Sequence, residues 1–597
     1  MIKSTARPQV APRQAKSPPP ARFDPAEQRR RLYVVATVTA CLVVLLAGRL
    51  FFLQVVQHDH YVALAQDEHW QKQEVPARRG TLRDASGAPL AQTVLYESLY
   101  ANTLQIKDPT ALAQQLAPAL GDPPLEIEAK LRTRQAAPVL VRADLTADIA
   151  QRVRDAHAEA VFLKPEPYRA HPEGNLATQI VGVIGDGDKG LSGMEAAYQD
   201  ELAGKAGWIV AERDTVGDEI TLADRQESPA VDGADITLTI DRFVQLVAER
   251  ELAAAVLQHQ AKSGSVVVLD PRTGAILAIA SYPTIRFDDP ALFDASRMPL
   301  YRIPAVNDVY EPGSVFKVVT VAGALDAGTI TPETTFQETN EFAYASGIVR
   351  NAVNWPVGPS SITLALQRSS NVGAAWVGTT LGVARFFEYV AAFGFGQPTG
   401  SGLPGEEAGL IKRPGQPDWD QYDLAANSFG QGLAVTPLQM ASAVATIANG
   451  GTLQRPYIVA EIAGPGGSRS YHPTVIRQVV RADTARRLSE MLVNVVDFVD
   501  GGKQRLSRVP GYRVAGKTGT AEIPRGKGYD KTATIASFGG YAPADAPRFV
   551  VLVKIDEPKD SPWGESVAAP AFRSIAQQLL VYYRVPPDES RAAEVSR

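Results

Sequence analysis

The segment GYRVAGKTGT, residues 511–520, fits two motifs that lead to different chemistry. From Gly511 it satisfies G-x-x-x-x-G-K-[ST], a loop that cradles phosphates. From Lys517 it contains K-T-G, one of three elements of a serine acyl-transfer site. A phosphate loop must follow an apolar strand and open a helix. Here QRLSRVP precedes the segment, and TAEIPRGKGYD, with Pro524, Gly526 and Gly528, follows it, so no helix starts there. The alternation in YRVAGKTGTA predicts a strand, with Tyr512 and Val514 on one face. The K-T-G reading, Lys517, Thr518 and Gly519 with Thr520 after it, therefore stands.

That reading needs a nucleophile. YEPGSVFKVVTVAGAL places Ser314 after Pro312-Gly313 and Lys317 three residues on, and the apolar spacing predicts a buried helix starting at the serine. At (i, i+3) the two side chains share a helix face. A hydroxyl is a poor nucleophile until a base takes its proton, and a lysine buried beside another cation can be that base. An S-x-x-K with a capping serine and an exposed lysine would look the same alone, but this helix has almost no polar face. Ser369-Ser370-Asn371 supplies S-x-N, and the order S-x-x-K, S-x-N, K-T-G is more specific than any one part. A Ser-His-Asp triad has no support, since the only histidine after Ser314 is His472. The seven histidines form no H-E-x-x-H and the single cysteine is Cys41, so neither a metal site nor thiol chemistry is expected.

The elements that position these motifs follow from the rest of the chain. Residues 1–31 carry eight Lys/Arg against Asp24 and Glu27, a net +6 in a chain of net charge −5, and their prolines predict a disordered basic tail without helix. The acidic remainder argues against nucleic acid as a partner. Residues 32–56, LYVVATVTACLVVLLAG and then LFFLQVV after Arg49, form an apolar run. Spanning a bilayer takes ~20 residues, and a cleaved signal peptide has a shorter apolar region of ~7–15. An uncleaved anchor is expected, its basic end cytoplasmic and the large C-terminal part outside the cytoplasmic membrane. Arg49 either snorkels at the outer interface or faces a neighbouring membrane protein.

Residues 65–225 hold apolar segments and a Pro/Gly-rich middle but no nucleophile in a motif, which predicts a non-catalytic pedestal, and LADRQESPAVDGAD reads as a polar linker. From residue 236 to 584 a catalytic domain is expected: ITLTI as a strand, DRFVQLVAERELAAAVLQH as an amphipathic helix, Asp270–Gly274 turning between strands, helices bearing the first two motifs, then a hairpin and terminal helix. Residues 585–597 are a polar tail. Pattern alone gives a multidomain α/β chain with Ser314 on a helix.

Beyond its three motifs, the chain resembles the class B penicillin-binding proteins, D,D-transpeptidases that cross-link peptidoglycan. VPARRGTLRDASGAPLA is similar to the family's N-terminal R-G-x-[IL]-x-D-R-x-G-x-x-L-A segment, while HPEGNLATQIVGVIG and GLSGMEAAYQDELAGKAG are similar to its pedestal. SVVVLDPRTGAILAIASYP, SFGQGLAVTPLQMASAVATIANGG and YAPADAPRFVVLVKIDEP resemble its catalytic domain. Ala85, His171 and Val315 depart from the family's usual arginine, aromatic and small polar residue.

The resemblance implies the fold of the serine β-lactamases and transpeptidases behind an α+β pedestal, with no cofactor. It implies Ser314 as the acylated nucleophile, Lys317 as its base, Ser369 and Lys517 as a proton relay, and Asn371 positioning the substrate amide. Thr518 and Thr520 would hold the substrate carboxylate beside Gly519, and the N–H groups of Ser314 and Thr520 would form the oxyanion hole. Implied partners are stem peptides ending in D-Ala-D-Ala, β-lactams as covalent inhibitors, a polytopic glycan-polymerising membrane protein and other division proteins. NDVYEPGSVFK and the short tail resemble the septal members more than the elongation members. A β-lactamase, a β-lactam receptor and a non-enzymatic division scaffold are the alternatives from other classes.

Overall fold

The computed structural model describes residues 25–61, 70–212, 225–526, 528–589 and 591. They form two compact units.

The smaller unit holds the N-terminal helix Pro25–Phe51, which continues through one π-helical turn, Phe52–Val56. The stretch Arg29–Val56 is long and apolar enough to cross a membrane, and none of its most apolar window is buried. The helix starts seven residues before the expected anchor. Pro25 opens it, where a missing N–H costs nothing, so the prolines upstream do not exclude helix at residues 25–31. The same unit contains an antiparallel sheet of Trp70–Val75, Gly207–Glu212 and Arg225–Ser228. Arg225–Ser228 lies inside the segment expected to be a linker, so that segment is in part a strand.

In the larger unit, the head of the pedestal is the sheet of strands Pro89–Ala101, Val139–Leu145 and Val161–Ala170, backed by helices Pro109–Leu120, Pro124–Leu131 and Ala147–Asp155. Leu99, Leu116, Ile127 and Val141 are among the residues of its own core. The strand Leu82–Arg83 pairs with Asp235–Leu238, which pairs in turn with Val459–Gly464, so one sheet runs from the pedestal into the catalytic domain. Gly80 is required at this seam because a Cβ there would lie 1.9 Å from the Ala234 carbonyl oxygen.

A buried charge cluster fixes the same region. Glu195 receives Arg79 Nε at 2.6 Å and Arg169 Nε at 2.8 Å, and the three side chains are 0–3% exposed. Each guanidinium also donates to backbone carbonyls, Arg79 to Asp188 and Glu195, Arg169 to Gly80. His171, two residues beyond Arg169, stacks on Phe287 with ring centroids 3.5 Å apart. Burial, with Arg169 adding repulsion, pushes its pKa down to about 4, so a neutral imidazole occupies the position as a ring. A histidine depressed in the folded state contributes stability that is complete above its unfolded pKa of ~6.5 and is lost as the pH falls toward 4. His171→Phe should therefore remove part of the fall in melting temperature between pH 6.5 and 4.5. An unchanged pH dependence would contradict this.

In the catalytic domain, helix α1 (Arg242–Gln258) leads into strands β1 (Ser263–Leu269) and β2 (Ile276–Tyr282). Helices α2 (Lys317–Asp326), α3 (Asn371–Leu381) and α4 (Pro437–Ala448) follow, then β3 (Ala515–Arg525), β4 (Gly528–Ala542), β5 (Phe549–Asp556) and α5 (Gly564–Tyr582). The five strands form an antiparallel sheet in the order β2-β1-β5-β4-β3. Both of its faces are covered, which is why Val266–Leu269 of β1 are apolar without alternation. Side chains alternate across a strand, so Val267 and Leu269 join the core containing Val318, Leu438 and Val444 of α2 and α4, while Val266 and Val268 join that of α1 and α5. Strand β3 lies at the sheet edge, which leaves one of its backbone sides free of strand partners. It begins at Ala515, so Tyr512 and Val514 precede the strand predicted to include them.

Candidate active site

The three motifs converge on a cleft of about 350 Å³ between the segment before α2, the start of α3 and the edge strand β3; Ser314, Ser369, Asn371, Thr518 and Thr520 all line it. No helix starts at the K-T-G segment. Lys517, Thr518, Gly519 and Thr520 pair with Gly539, Phe538, Ser537 and Ala536 of β4, which excludes the phosphate-loop geometry.

Ser314 lies in a 3₁₀ turn, Gly313–Phe316, and the α-helix proper begins at Lys317. The expected α-helical start at the serine is thus displaced by one turn. The cause is local: Gly313 has φ +52°, its N–H donates to the Gly430 carbonyl at 3.0 Å, and a Cβ on it would come within 2.7 Å of the Thr520 carbonyl oxygen. Glycine there lets the turn bearing Ser314 close onto the edge strand. Gly519 does the same from the other side, since a Cβ on it would lie 2.4 Å from Ser537 Oγ and 2.8 Å from the Pro312 carbonyl oxygen.

Lys317 is 1% exposed, and its Nζ donates to the Ser369 carbonyl at 2.7 Å and to Asn371 Oδ1 at 2.8 Å, with Ser369 Oγ at a long 3.4 Å. Burial, then the Lys517 cation, pulls its pKa well below the ordinary lysine value, against the opposing pull of Glu338. Lys517 is equally buried and donates to Ser369 Oγ at 3.0 Å and to Thr518 Oγ1 at 3.2 Å. Burial and then Arg505 bring it down to about 7, while Glu565 acts in the opposite direction. Ser369 Oγ therefore stands between two amines, both held below the ordinary lysine pKa by burial. The residue is held at φ +55°, a left-handed conformation that costs a side-chain-bearing residue about 1–3 kcal/mol and persists only where the surroundings enforce it.

Ser370, the middle residue of S-x-N, caps α3: its Oγ accepts from Gly373 N at 2.9 Å and donates to buried Glu338 at 2.6 Å. Asn351 Oδ1 accepts from Asn371 N at 2.7 Å, and Asn371 Nδ2 donates to the Arg350 carbonyl at 3.0 Å. Glu338 and Asn351 support the site but carry no motif, and nothing in their sequence surroundings singles them out. Thr520 Oγ1 accepts from Gly564 N at the start of α5, at 3.1 Å. Trp355, Arg368, Arg505 and Glu565 also line the cleft, although none belongs to a motif. Among the described residues no group of three or more His, Cys, Asp and Glu could hold a metal ion.

The sequence matches the penicillin-binding protein transpeptidase domain over residues 264–577 and the penicillin-binding protein dimerisation domain over residues 74–238. It is 32% identical to a probable peptidoglycan D,D-transpeptidase PenA of Neisseria meningitidis, over 99% of either chain. Identity is 30% to the stage V sporulation protein D of Bacillus subtilis, over 94% of this chain and 87% of that one. It is also 30% to the peptidoglycan D,D-transpeptidase FtsI of Escherichia coli, over 93% and 92%. The fold is similar to that of penicillin binding protein 3 from Mycobacterium tuberculosis complexed with aztreonam, with a TM-score of 0.68 and 28% identity over 86% of this chain and 98% of that one. With its three motifs gathered in one cleft and both domains matched along its length, this chain belongs to the class B penicillin-binding proteins.

Proposed function

We propose that this protein is a membrane-anchored D,D-transpeptidase that cross-links peptidoglycan stem peptides through a serine acyl-enzyme at the division septum. The observation that carries the reading is the pair of buried lysines meeting at Ser369 Oγ beside Ser314. In this mechanism Ser314 Oγ attacks the carbonyl of the penultimate D-Ala and Lys317, neutral before the step, takes its proton. The C–N bond to the terminal D-Ala breaks, and Ser369 and Lys517 relay a proton to the leaving amine. Asn371 positions the substrate amide, and Thr518 and Thr520 hold the terminal carboxylate beside Gly519. The N–H groups of Ser314 and Thr520 stabilise the oxyanion, where a single donor is worth ~2.7–4 kcal/mol. An amine of a second stem peptide then attacks the acyl ester, forming the cross-link and restoring the serine.

Two relatives named as D,D-transpeptidases, matched over more than nine-tenths of both chains, support the reaction. The apolar helix Arg29–Val56 supports the anchor: it is long enough to span a bilayer, and among the described residues none of its most apolar window is buried. Arg29, Arg30 and Arg31 at its start favour a cytoplasmic N-terminus. The partner of the span in this reading is a polytopic glycan-polymerising membrane protein that Arg49 and Gly48 face. The septal assignment rests on the resemblance of NDVYEPGSVFK to septal members. Depleting the protein in living cells tests it: filaments support division, whereas rounded cells would assign it to elongation. The lifetime of a penicillin adduct on the full-length protein separates the enzyme classes. A label stable for hours is expected, rapid loss would mark a β-lactamase, and no label would mark a scaffold.

A further inference from the structure

One wall of the cleft carries two guanidinium groups that the proposed reaction brings into contact with no part of the substrate. Arg368 precedes the S-x-N motif, and Arg505 lies in the segment before β3; both line the cleft with Ser314. They are brought together by backbone: Arg505 Nη2 donates at 2.9 Å to the carbonyl of Gln367, the residue before Arg368. Gln367 is itself tied to the helix Ala482–Val496, its Nε2 donating to the Asn494 carbonyl at 3.1 Å. Each guanidinium lies over an aromatic ring, Arg368 over Trp355 and Arg505 over Phe498, both at 5.3 Å from the ring centroid. The backbone of Trp355 is held in turn, its main-chain N–H donating to Asn340 Oδ1 at 2.7 Å.

Cation–π attraction holds a guanidinium over a ring without using its N–H donors, which leaves them available to an anion. Those donors are under-used here. Arg368 Nε is buried without a hydrogen-bond partner, and among the described residues neither arginine makes an ion pair. Two carboxylates share the cleft, Asp500 and Glu565. Glu565 Oε1 is already engaged by Leu506 N at 2.6 Å.

We propose that Arg368 and Arg505 form an anion subsite that receives the side-chain carboxylate of the third residue of a stem peptide, distinct from the terminal carboxylate assigned to Thr518 and Thr520. It rests on the transpeptidase reading. Carboxylate is the matching chemistry because a guanidinium presents parallel N–H groups to its two oxygens. Either strand of the cross-link could bring it. A donor stem peptide carries side-chain carboxylates upstream of D-Ala-D-Ala, and an acceptor can carry one beside the attacking amine.

The test uses the full-length protein and two matched peptide pairs. The donors are pentapeptides ending in D-Ala-D-Ala with diaminopimelate or lysine at the third position, which differ by one side-chain carboxylate. The acceptors are the same pair without the terminal D-Ala residues. Release of D-Ala reads the donor arm and the amide product reads the acceptor arm. Arg505 also helps to hold Lys517 down, so the readout is the ratio of kcat/KM with and without the carboxylate, in which that effect cancels. The wild-type protein should favour diaminopimelate by about tenfold in one arm, the worth of a charge-assisted contact partly open to water. That arm identifies the strand. The preference should vanish in Arg368→Gln/Arg505→Gln and shrink in Arg505→Lys, which keeps a charge but not the parallel N–H pair. Single Arg368→Gln and Arg505→Gln variants report the same ratio if the double variant folds poorly. Equal ratios in wild type and variants, or no preference in the wild type, would overturn the subsite. Failure of the wild type to release D-Ala from either donor would instead sink the transpeptidase reading beneath it.

Discussion

Lys317→Arg should slow acylation by benzylpenicillin by about 10²–10⁴-fold, the range that general-base catalysis contributes. The substitution keeps the positive charge and the hydrogen-bonding reach of the side chain, so a merely structural cation would tolerate it. A guanidinium cannot lose its proton in a protein, whereas the Lys317 amine is held well below its usual pKa by burial and by Lys517. The slot is also tight, since Lys317 is 1% exposed and already bonded to the Ser369 carbonyl and Asn371. Lys317→Gln separates the two effects. It removes the base with less bulk, and its acylation rate should fall as far while the melting temperature stays near that of the wild type. Near-normal acylation in either variant, measured by stopped-flow or gel labelling, would rule Lys317 out as the base.

Glu195→Ala should lower the unfolding free energy by about 3–5 kcal/mol, the cost of removing one partner from a buried ion pair. Both Arg79 and Arg169 would lose their only carboxylate among the described residues, and with exposures of 0% and 3% neither can reach water without rearrangement. Glu195→Gln should cost less, because an amide oxygen still accepts one hydrogen bond. The cluster sits where the pedestal joins the sheet shared with the catalytic domain: Arg169 bonds the Gly80 carbonyl, and Thr81 N bonds Asp235 Oδ1 at 2.7 Å. Its loss should therefore appear as loosening of the seam before the catalytic sheet melts. Hydrogen exchange on residues 79–83 and 234–238 would detect this, and a Glu195→Ala variant within 1 kcal/mol of the wild type in a denaturant titration would contradict it.

The chemistry of the site is legible in the sequence because each motif is local. S-x-x-K needs one helical turn to bring serine and lysine to one face, and K-T-G needs only the alternation of an edge strand. What escapes is set by contacts far apart in the chain. Glu195 lies 116 residues from Arg79, and Arg505 lies 138 from the Gln367 carbonyl it grips, so no window of sequence contains either pair. Glu338, which accepts from Ser370, is equally unmarked. Local misreadings have local causes. Pro312-Gly313 starts a tight 3₁₀ turn rather than an α-turn at Ser314, and Pro25 opens a helix where proline is tolerated.

Peptide mapping by mass spectrometry after incubation with benzylpenicillin tests the central claim most directly. A single adduct, one intact penicilloyl group per chain, is predicted on the proteolytic fragment containing Ser314, persisting for hours at neutral pH. It should be absent from Ser314→Ala, which removes one hydroxyl and little packing. An adduct on any other residue, or undiminished labelling of Ser314→Ala, would contradict the assignment of the nucleophile and with it the serine acyl-enzyme mechanism.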